Sequence, residues 1–425
     1  MLILLVFLLI FAVLGIPVAF AIGASSLAYI EAFVPEFAQM LPQRVWGGVF
    51  SYLMIAMPLF MLAGELMNTG GITRRIIDFS MYVVRPVRGG LGEVNIIGSM
   101  LFGGISGSSV ADTSALGSIL IPAMQAKGYP PRVSAGITVA SSTMGMIIPP
   151  SVPMIVYAMV SGASVGKLFI AALIPGLLIG ILQLIVCYVI SVKKNYHPRP
   201  EAFVFKHFLA STLLGLPAIL MPLIIIIFIS FGICTASESA GIAVLYSLFL
   251  GFMVYRELTF SSVIKALKRT LISSSAIMLI IGFTMIFTWL LTMANIPSVI
   301  AGFFLAMQLP AWGYGLMFVA LILVIGTFVD VSPAILLLTP IMLPIMREVG
   351  FSDLQFGAMM ITGLAIGLVT PPVGMCLNAC TKINKMPIAE IFKGAAPFVV
   401  CNAVVLVAIS VIPGLTTWLP SIISY

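Results

Sequence analysis

The chain has 425 residues, of which only 8% are charged and 61% are hydrophobic, with a mean hydropathy of +1.23. Soluble globular proteins carry about 25% charged residues, so this composition excludes an ordinary soluble protein and indicates a polytopic membrane protein. The net charge of +7 comes from 20 basic and 13 acidic residues. In a membrane protein such an excess reports orientation, so we expect no nucleic-acid partner and expect the surface to contact membrane lipid.

Apolar stretches long enough to cross a bilayer, each with at most one charged residue, predict nine transmembrane helices, the first of them continuous over its whole length. They lie at about residues 2–30, 48–70, 133–160, 168–192, 208–231, 236–255, 271–294, 354–381 and 394–415. Two more apolar segments, 93–126 and 312–346, are interrupted at their centres by Gly, Ser, Asp or Pro. We interpret each as a re-entrant hairpin that enters and leaves on one side.

The positions of the basic residues support this topology. With the N-terminus in the cytoplasm, 17 basic residues lie inside and only Arg44, Lys167 and Arg347 lie outside, in agreement with the positive-inside rule. The C-terminus is then periplasmic. Residues 256–270 place apolar side chains at helical spacing opposite lysine and arginine, which predicts a separate helix in the cytoplasmic interface.

An internal repeat with a shift of 222 residues relates 104–150 to 326–372. Six of its identities are Gly or Pro: Gly104/Gly326, Pro122/Pro344, Gly128/Gly350, Gly145/Gly367, Pro149/Pro371 and Pro150/Pro372. Each copy is a hairpin followed by a broken helix, and the predicted topology gives the copies opposite orientations. Inverted repeats with discontinuous helices are typical of secondary transporters, whose sites lie near the membrane midplane.

The duplicated Pro-Pro pairs predict exposed carbonyl oxygens. Because proline has no N–H, Pro149 and Pro371 should free the carbonyls of Gly145 and Gly367, and the second prolines should free those of Met146 and Leu368. Such oxygens suit sodium, a hard cation, and Thr370 could add a hydroxyl. The alternative is a pair of simple kinks lined by neighbouring helices.

The hairpin tips are rich in hydroxyl groups and each contains one acid, Asp112 or Asp330. Ser109 and Asp112 could form a capping box, and Ser332 with Pro333 resembles the N-cap and first residue of a helix. Half-helix N-termini that meet at the midplane would attract a carboxylate, although capping alone is the other interpretation. Glu65 could serve transport or only extend toward the interface.

Enzymatic functions find little support. Gly162, Gly166 and Lys167 fall one residue short of a P-loop, and an intramembrane hydrolase built on Ser108 and Asp112 would lack a general base. We therefore expect no enzyme and no organic cofactor. A channel is a further alternative, although broken helices suit an occluded site better than a continuous pore.

Three motifs carry a resemblance to a known family: GISGSSVADTSALGSILIPAM at 104–124, IIPPSVPM at 147–154 and TPPVGM at 370–375. With the paired hairpins, they resemble the large membrane subunit of TRAP (tripartite ATP-independent periplasmic) transporters, and the whole chain looks most similar to the sialic-acid type. The resemblance implies a bacterial inner-membrane protein with sodium-driven uptake of sialic acid or a C4-dicarboxylate. It also implies an elevator mechanism, a four-helix small membrane subunit and a periplasmic binding protein.

The fold expected is an all-α polytopic membrane protein with inverted repeats and elevator-type scaffold and transport domains. The expected division is scaffold and arm helices at 1–92, the first transport repeat at 93–162, scaffold helices at 163–311 with a cytoplasmic linker near 191–207, the second transport repeat at 312–386 and a C-terminal scaffold helix at 387–425. A stand-alone sodium–dicarboxylate symporter of similar architecture is the alternative within the class.

By position, the resemblance implies two sodium sites of unequal chemistry. The first would use Ser106, Gly145, Ile148 and Pro150, and the second would use Gly326, Gly367, Thr370 and Val373. Sodium is the only metal expected. Substrate contacts are expected from Ser108, Ser109, Asp112, Thr143, Asp330 and Ser332.

Overall fold

The computed structural model describes residues 2–84, 87, 89–196 and 205–423, and every regular element within them is a helix. The first ten α-helices are α1 Leu2–Val13, α2 Val18–Phe33, α3 Leu41–Val49, α4 Tyr52–Thr69, α5 Ile72–Val84, α6 Gly90–Ser106, α7 Ser109–Ala126, α8 Pro131–Ser142, α9 Met144–Ile147 and α10 Val152–Ser161. The others are α11 Val165–Lys194, α12 Phe205–Ser230, α13 Ala236–Phe249, α14 Phe260–Met293, α15 Ile296–Leu305, α16 Ala311–Phe328, α17 Val331–Glu348, α18 Asp353–Gly367, α19 Met375–Asn384, α20 Ile388–Val411 and α21 Gly414–Ile422. A 3₁₀ helix, Pro35–Met40, precedes α3, and a π-helix, Leu250–Val254, continues α13.

Eight helices in the described ranges are long and apolar enough to cross a membrane, and the bent pair Pro131–Ile147 and Val152–Ser161 would make a ninth. This pair bends by 41° at the first Pro-Pro motif. The all-helical membrane fold predicted from composition is therefore confirmed. Parts of the predicted linker, 197–204 with His197 and Arg199, lie outside the described residues, as do Arg85 and Arg88.

Two predicted helices have different bounds. The expected first helix over 2–30 is wrong, because α1 and α2 are separated at Gly15, which has a φ of +77°, and Pro17, which cannot donate a helical hydrogen bond. The separate interfacial helix at 256–270 is also wrong. Residues 260–293 contain neither proline nor any other interruption, so α14 runs continuously through both segments for 34 residues.

The two repeats are clear in the fold. Hairpin 1 consists of α6 and α7, and hairpin 2 consists of α16 and α17. Each is followed by a broken helix, which is α8–α10 in the first copy and α18–α19 in the second. Hairpin 1 packs on α8 and α9. In hairpin 2, α16 packs on α18 and α17 packs on α10. The hairpins and breaks therefore form one packed unit at the centre of the chain's main core.

Helices α11 and α20 pack against this unit from the side. Gln183 of α11 donates to Asn402 Oδ1 of α20 at 2.8 Å, and Asn402 Nδ2 donates to Thr143 Oγ1 at 2.9 Å. All three side chains are fully buried. Because buried amide groups are costly without partners, this chain of hydrogen bonds joins both helices to the first broken helix.

Candidate functional site

The tip of hairpin 1 turns at Gly107, whose φ of +61° ends α6 in the left-handed conformation. Ser108 then caps α7, and its side chain accepts from the Ala111 N–H at 3.5 Å. The predicted Ser109–Asp112 capping box is wrong, because the helix begins one residue earlier than assumed. Ser109 is the first residue of α7 and is fully buried.

Asp112 is fully buried behind this tip. Ser106 Oγ donates a hydrogen bond to Asp112 Oδ1 and also accepts from the Ser108 N–H at 3.1 Å. Asp112 Oδ2 has no hydrogen-bond partner within the described part of the chain. It faces Gly145 at the helix break so closely that a Cβ on Gly145 would overlap it. Hairpin 1 thus directs one carboxylate oxygen at the first break.

Both hairpins meet their broken helix through glycine. A Cβ on Gly103 would lie 2.9 Å from Gly145 Cα, and a Cβ on Gly326 would lie 3.3 Å from Gly367 Cα. The two junctions occupy equivalent places in the two repeats. The glycine that faces Gly145 is Gly103, however, and not Gly104, which the 222-residue shift pairs with Gly326. Gly104 instead approaches the Pro149 carbonyl oxygen, which would lie 3.0 Å from a Cβ placed on Gly104.

The second break corrects the prediction of free carbonyls. Gly367 O accepts from the Thr370 N–H at 3.1 Å, and Leu368 O accepts from the Cys376 N–H at 3.1 Å. The chain turns tightly after α18, so later amide groups replace the donors that the prolines lack. The Thr370 hydroxyl donates to Ile366 O at 2.8 Å, which leaves the lone pairs of its oxygen available.

The remaining residues of the predicted sodium sites lie in the same two breaks. Ile148 leaves the helical conformation directly after α9, before Pro149 and Pro150, and the bond between these two prolines is cis, as is that between Pro371 and Pro372. Val373 is 40% exposed, and its carbonyl accepts from Asn378 Nδ2 at 2.7 Å.

Hairpin 2 turns through Val329 and Asp330. Asp330 is the N-cap of α17, and its Oδ1 accepts from the Val331 N–H at 2.8 Å. The prediction of Ser332 as N-cap is therefore wrong. Asp330 caps the helix in place of Ser332, so α17 starts two residues earlier than predicted and Ser332 lies buried within its first turn.

A cavity of about 340 Å³ lies between the two hairpin tips and the helices α4 and α14. Several predicted residues line it together: Ser106, Ser108, Ser109, Asp330 and Ser332. Asp112 and Thr143 are not among its lining residues, since Asp112 lies behind the tip and Thr143 is hydrogen-bonded to Asn402. Of the predicted sodium residues, Ser106 alone reaches the lining.

The wall opposite the tips was largely missed from the sequence. Glu65 and Asn68 of α4 and Arg269 of α14 line the cavity, and Arg269 Nη1 lies 3.6 Å from Glu65 Oε2. Both helices fall outside the repeated segments, so the repeat could not identify them. The acid Glu65, close to the end of the apolar run at 48–70, was the one available signal.

This arrangement defines a class of protein: a polytopic membrane protein with two glycine-joined hairpin and broken-helix units around one polar cavity. The family described as "Tripartite ATP-independent periplasmic transporter, DctM component" matches residues 4–415. The chain belongs to this family of TRAP transporter large permeases, as its motifs indicated, and it is a transporter subunit and not an enzyme.

Two relatives show how far the similarity extends. The chain is 36% identical to the sialic acid TRAP transporter large permease protein SiaM of Vibrio cholerae, over 96% of this chain and 95% of the relative. It is also 36% identical to the C4-dicarboxylate TRAP transporter large permease protein DctM of Pseudomonas aeruginosa, over 94% of both chains. Family membership is therefore established. Because the two relatives are equally identical to this chain, sequence identity does not favour either of the two named substrates.

A solved structure has a similar fold. The Alcanivorax borkumensis YdaH transporter, described as having an unusual topology, superposes with a TM-score of 0.66 over 90% of this chain and 89% of that chain. The sequences are 14% identical, so the likeness concerns the fold alone.

Proposed function

We propose that this chain is the translocating subunit of a TRAP system that takes up a carboxylate with a sodium gradient. The observation that carries the proposal is the meeting of both hairpin tips at one polar cavity, with a glycine junction behind each tip. Paired discontinuous helices at a common site are the arrangement that secondary transporters use for substrate and ions.

Sodium is proposed to bind at the two junctions. In the first, the orphan Asp112 Oδ2, the Ser106 hydroxyl and the carbonyls of Gly145, Ile148 and Pro150 supply oxygen donors. In the second, the donors are Thr370 Oγ1 and the carbonyls of Gly326, Gly367 and Val373. A buried carboxylate oxygen without a hydrogen bond supports the first site, because a cation would compensate its charge. Oxygen donors of these types suit a hard cation.

The proposed substrate is a carboxylate, sialic acid in the first place and a C4-dicarboxylate as the second candidate. The relatives named for sialic acid and for C4-dicarboxylates are each 36% identical to this chain. Support for a carboxylate comes from the helix N-termini at Ser108 and Asp330, which face the cavity. Ser109 and Ser332 would add contacts, while Asp112 and Thr143 would act from behind the lining.

The proposed setting is a bacterial inner membrane, with the N-terminus cytoplasmic and the C-terminus periplasmic. The distribution of basic residues supports this orientation. Family membership supports two partners, a small membrane subunit and a periplasmic binding protein that delivers the substrate. The small subunit is expected to have four helices.

An elevator motion is proposed for the central unit of hairpins and broken helices. The predicted division placed 163–311 and 387–425 in the scaffold. The buried bonds from Gln183 and Asn402 to Thr143 favour a revised division, in which α11 and α20 move with the hairpins. Helices α2, α3 and α4, each of which packs on α14, would form the stationary wall together with α14.

Uptake into proteoliposomes tests the function. The chain, its small subunit and its binding protein are reconstituted, and accumulation of radiolabelled N-acetylneuraminate and succinate is measured with and without a sodium gradient. We expect one of the two to accumulate only with both sodium and the binding protein. Uptake without the binding protein would favour the stand-alone symporter, and uptake independent of sodium would contradict the ion sites.

A further inference from the structure

The charges in the central cavity do not balance for an anionic ligand. Of the described residues that line it, three are charged: Glu65, Asp330 and Arg269. Two carboxylates with one guanidinium give a formal charge of −1 before any substrate enters. An incoming carboxylate would be repelled unless a cation were close to it, and Arg269 is the one lining side chain in the described ranges that provides a positive charge.

Arg269 is only loosely engaged. Its Nη1 lies 3.6 Å from Glu65 Oε2, which is beyond hydrogen-bond length, and Glu65 Oε2 has no hydrogen-bond partner among the described residues. The Arg269 side chain is 67% exposed. Because a guanidinium has five N–H donors, most of its capacity remains open to a ligand in the cavity.

The neighbouring face of α14 is polar as well. Thr270 and Ser273 line the cavity next to Arg269, and Ser273 lies one helical turn further on, on the same face. Thr270 is 4% exposed, and its hydroxyl lacks a partner within the described chain. A buried hydroxyl beside an open guanidinium is a second, independent indication that a polar ligand is bound at this wall.

We propose that Arg269 is a specificity-determining residue that binds the carboxylate of the transported substrate, in exchange for Glu65. The proposal rests on the carboxylate uptake proposed above. Arginine presents two parallel N–H groups that match both oxygens of a carboxylate. When the substrate leaves, Glu65 compensates the charge of Arg269 again, so that the site does not retain the anion.

The position of Arg269 restricts when this contact forms. Helix α14 packs along α2, α3 and α4 and also contacts α17 of hairpin 2, whereas the hairpin tips belong to the unit proposed to move. The carboxylate therefore meets Arg269 only when the hairpin tips face this wall, as in the present conformation. In the proposed orientation Arg269 lies on the cytoplasmic side, so it would bind the carboxylate at the cytoplasmic end of the transport cycle, and the hairpin tips would hold the substrate throughout the cycle.

The test uses the reconstituted complex and the probe, succinate or N-acetylneuraminate, that the wild type accumulates. In Arg269→Gln we expect the KM for the probe at the cytoplasmic face, measured as efflux from loaded vesicles, to rise about tenfold or more, with a smaller rise in Arg269→Lys, which keeps the charge but loses the planar pair of donors. The matched control is Lys268→Gln, an exposed neighbour on the same helix that does not line the cavity, and its KM should stay within twofold of wild type.

A second measurement separates recognition from a structural role. The primary amide of the same acid is used as a competitor, and the preference for the acid over its amide should fall at least fivefold in Arg269→Gln. Glu65→Gln should lower the KM about fivefold and slow turnover, because the competing carboxylate is gone. Its control is Glu257→Gln, which breaks the ion pair with Arg75 at 2.8 Å outside the cavity and should leave KM unchanged.

The double variant Glu65→Gln and Arg269→Gln removes one charge of each sign and so keeps the net charge of the cavity. It provides a second measurement in case Arg269→Gln alone misfolds. It should fold and show the weak acid preference of Arg269→Gln. A wild-type KM and acid preference in both Arg269→Gln and the double variant would overturn the proposal alone. If the wild type accumulates neither probe, the proposed function and this proposal are both overturned.

Discussion

Asp112 Oδ2 of hairpin 1 lies directly against the backbone of Gly145 at the first helix break, with no room for a side chain between them. The carboxylate is buried and this oxygen has no hydrogen-bond partner in the described chain, while Oδ1 accepts from Ser106. Hairpin and helix break are thus in contact through one acid and one glycine.

Replacing Gly145 with alanine should disturb this contact. The added methyl group overlaps Asp112 Oδ2, so we expect a loss of about 1–3 kcal/mol in the free energy of unfolding, and a higher sodium concentration for half-maximal uptake. Thermal unfolding in detergent and uptake at graded sodium concentrations measure the two effects.

The control for this variant is Gly241→Ala in α13, where nothing lies within 4 Å of the added Cβ. Alanine is the better helix former there, by up to about 1 kcal/mol, so the control should be neutral or slightly stabilising. A Gly145→Ala protein with wild-type stability and sodium response would contradict the role assigned to the contact.

Gly367→Ala should be more damaging. Its methyl group would overlap the backbone carbonyl of Gly326, and backbone cannot rotate away as a side chain can. We expect a loss of at least about 2–3 kcal/mol or failure to accumulate folded protein, measured as monodisperse yield and melting temperature. Gly302→Ala, which meets nothing within 4 Å, is the control and should express normally.

Thr370→Val tests the second sodium site. Valine keeps the shape but removes the oxygen that is proposed to bind sodium, so the sodium concentration for half-maximal uptake should rise severalfold while substrate delivery is unaffected. The control is Thr292→Val, whose hydroxyl also donates to a helical carbonyl, that of Thr288 at 2.9 Å, far along the chain in α14. An unchanged sodium response in Thr370→Val would remove this residue from the site.

The Gln183–Asn402 pair should contribute to stability as a unit. Asn402→Leu leaves Gln183 and Thr143 without their buried partner, which should cost about 1–3 kcal/mol in the free energy of unfolding. Replacing Gln183 and Asn402 together with leucine removes both polar groups, so the double variant should lose less than the sum of the two single variants. Strict additivity in a double-mutant cycle would indicate that the observed hydrogen bond contributes nothing.

The repeat allowed much of the site to be predicted from the sequence. Gly145 and Gly367, aligned at matching Pro-Pro motifs, both lie at junctions with a hairpin, because only glycine permits backbones to approach so closely. The caps were harder to predict. Ser108 and Asp330 cap their helices in place of Ser109 and Ser332, since several adjacent residues could each accept the first free N–H.

The cavity wall formed by α4 and α14 could not be predicted in the same way. Arg269 was counted among the basic residues that set orientation, and its contact with Glu65 joins segments about 200 residues apart. Composition and periodicity describe each segment by itself. They give no information on which two faces meet across a cavity.

The length of α14 has a consequence for the depth of Arg269. At ~1.5 Å per residue its 34 residues extend about 51 Å, whereas the hydrocarbon core is ~30 Å thick. Even the steepest common tilt of ~40° cannot place the whole helix inside that layer. At that tilt about a quarter of α14 must emerge into the headgroup region, and more at a smaller tilt. The end that carries Lys265, Lys268 and Arg269 is the one with charges to solvate. The thickness of the bilayer thus places the guanidinium near the level where water reaches a membrane protein, where a permanent charge can be kept at little cost.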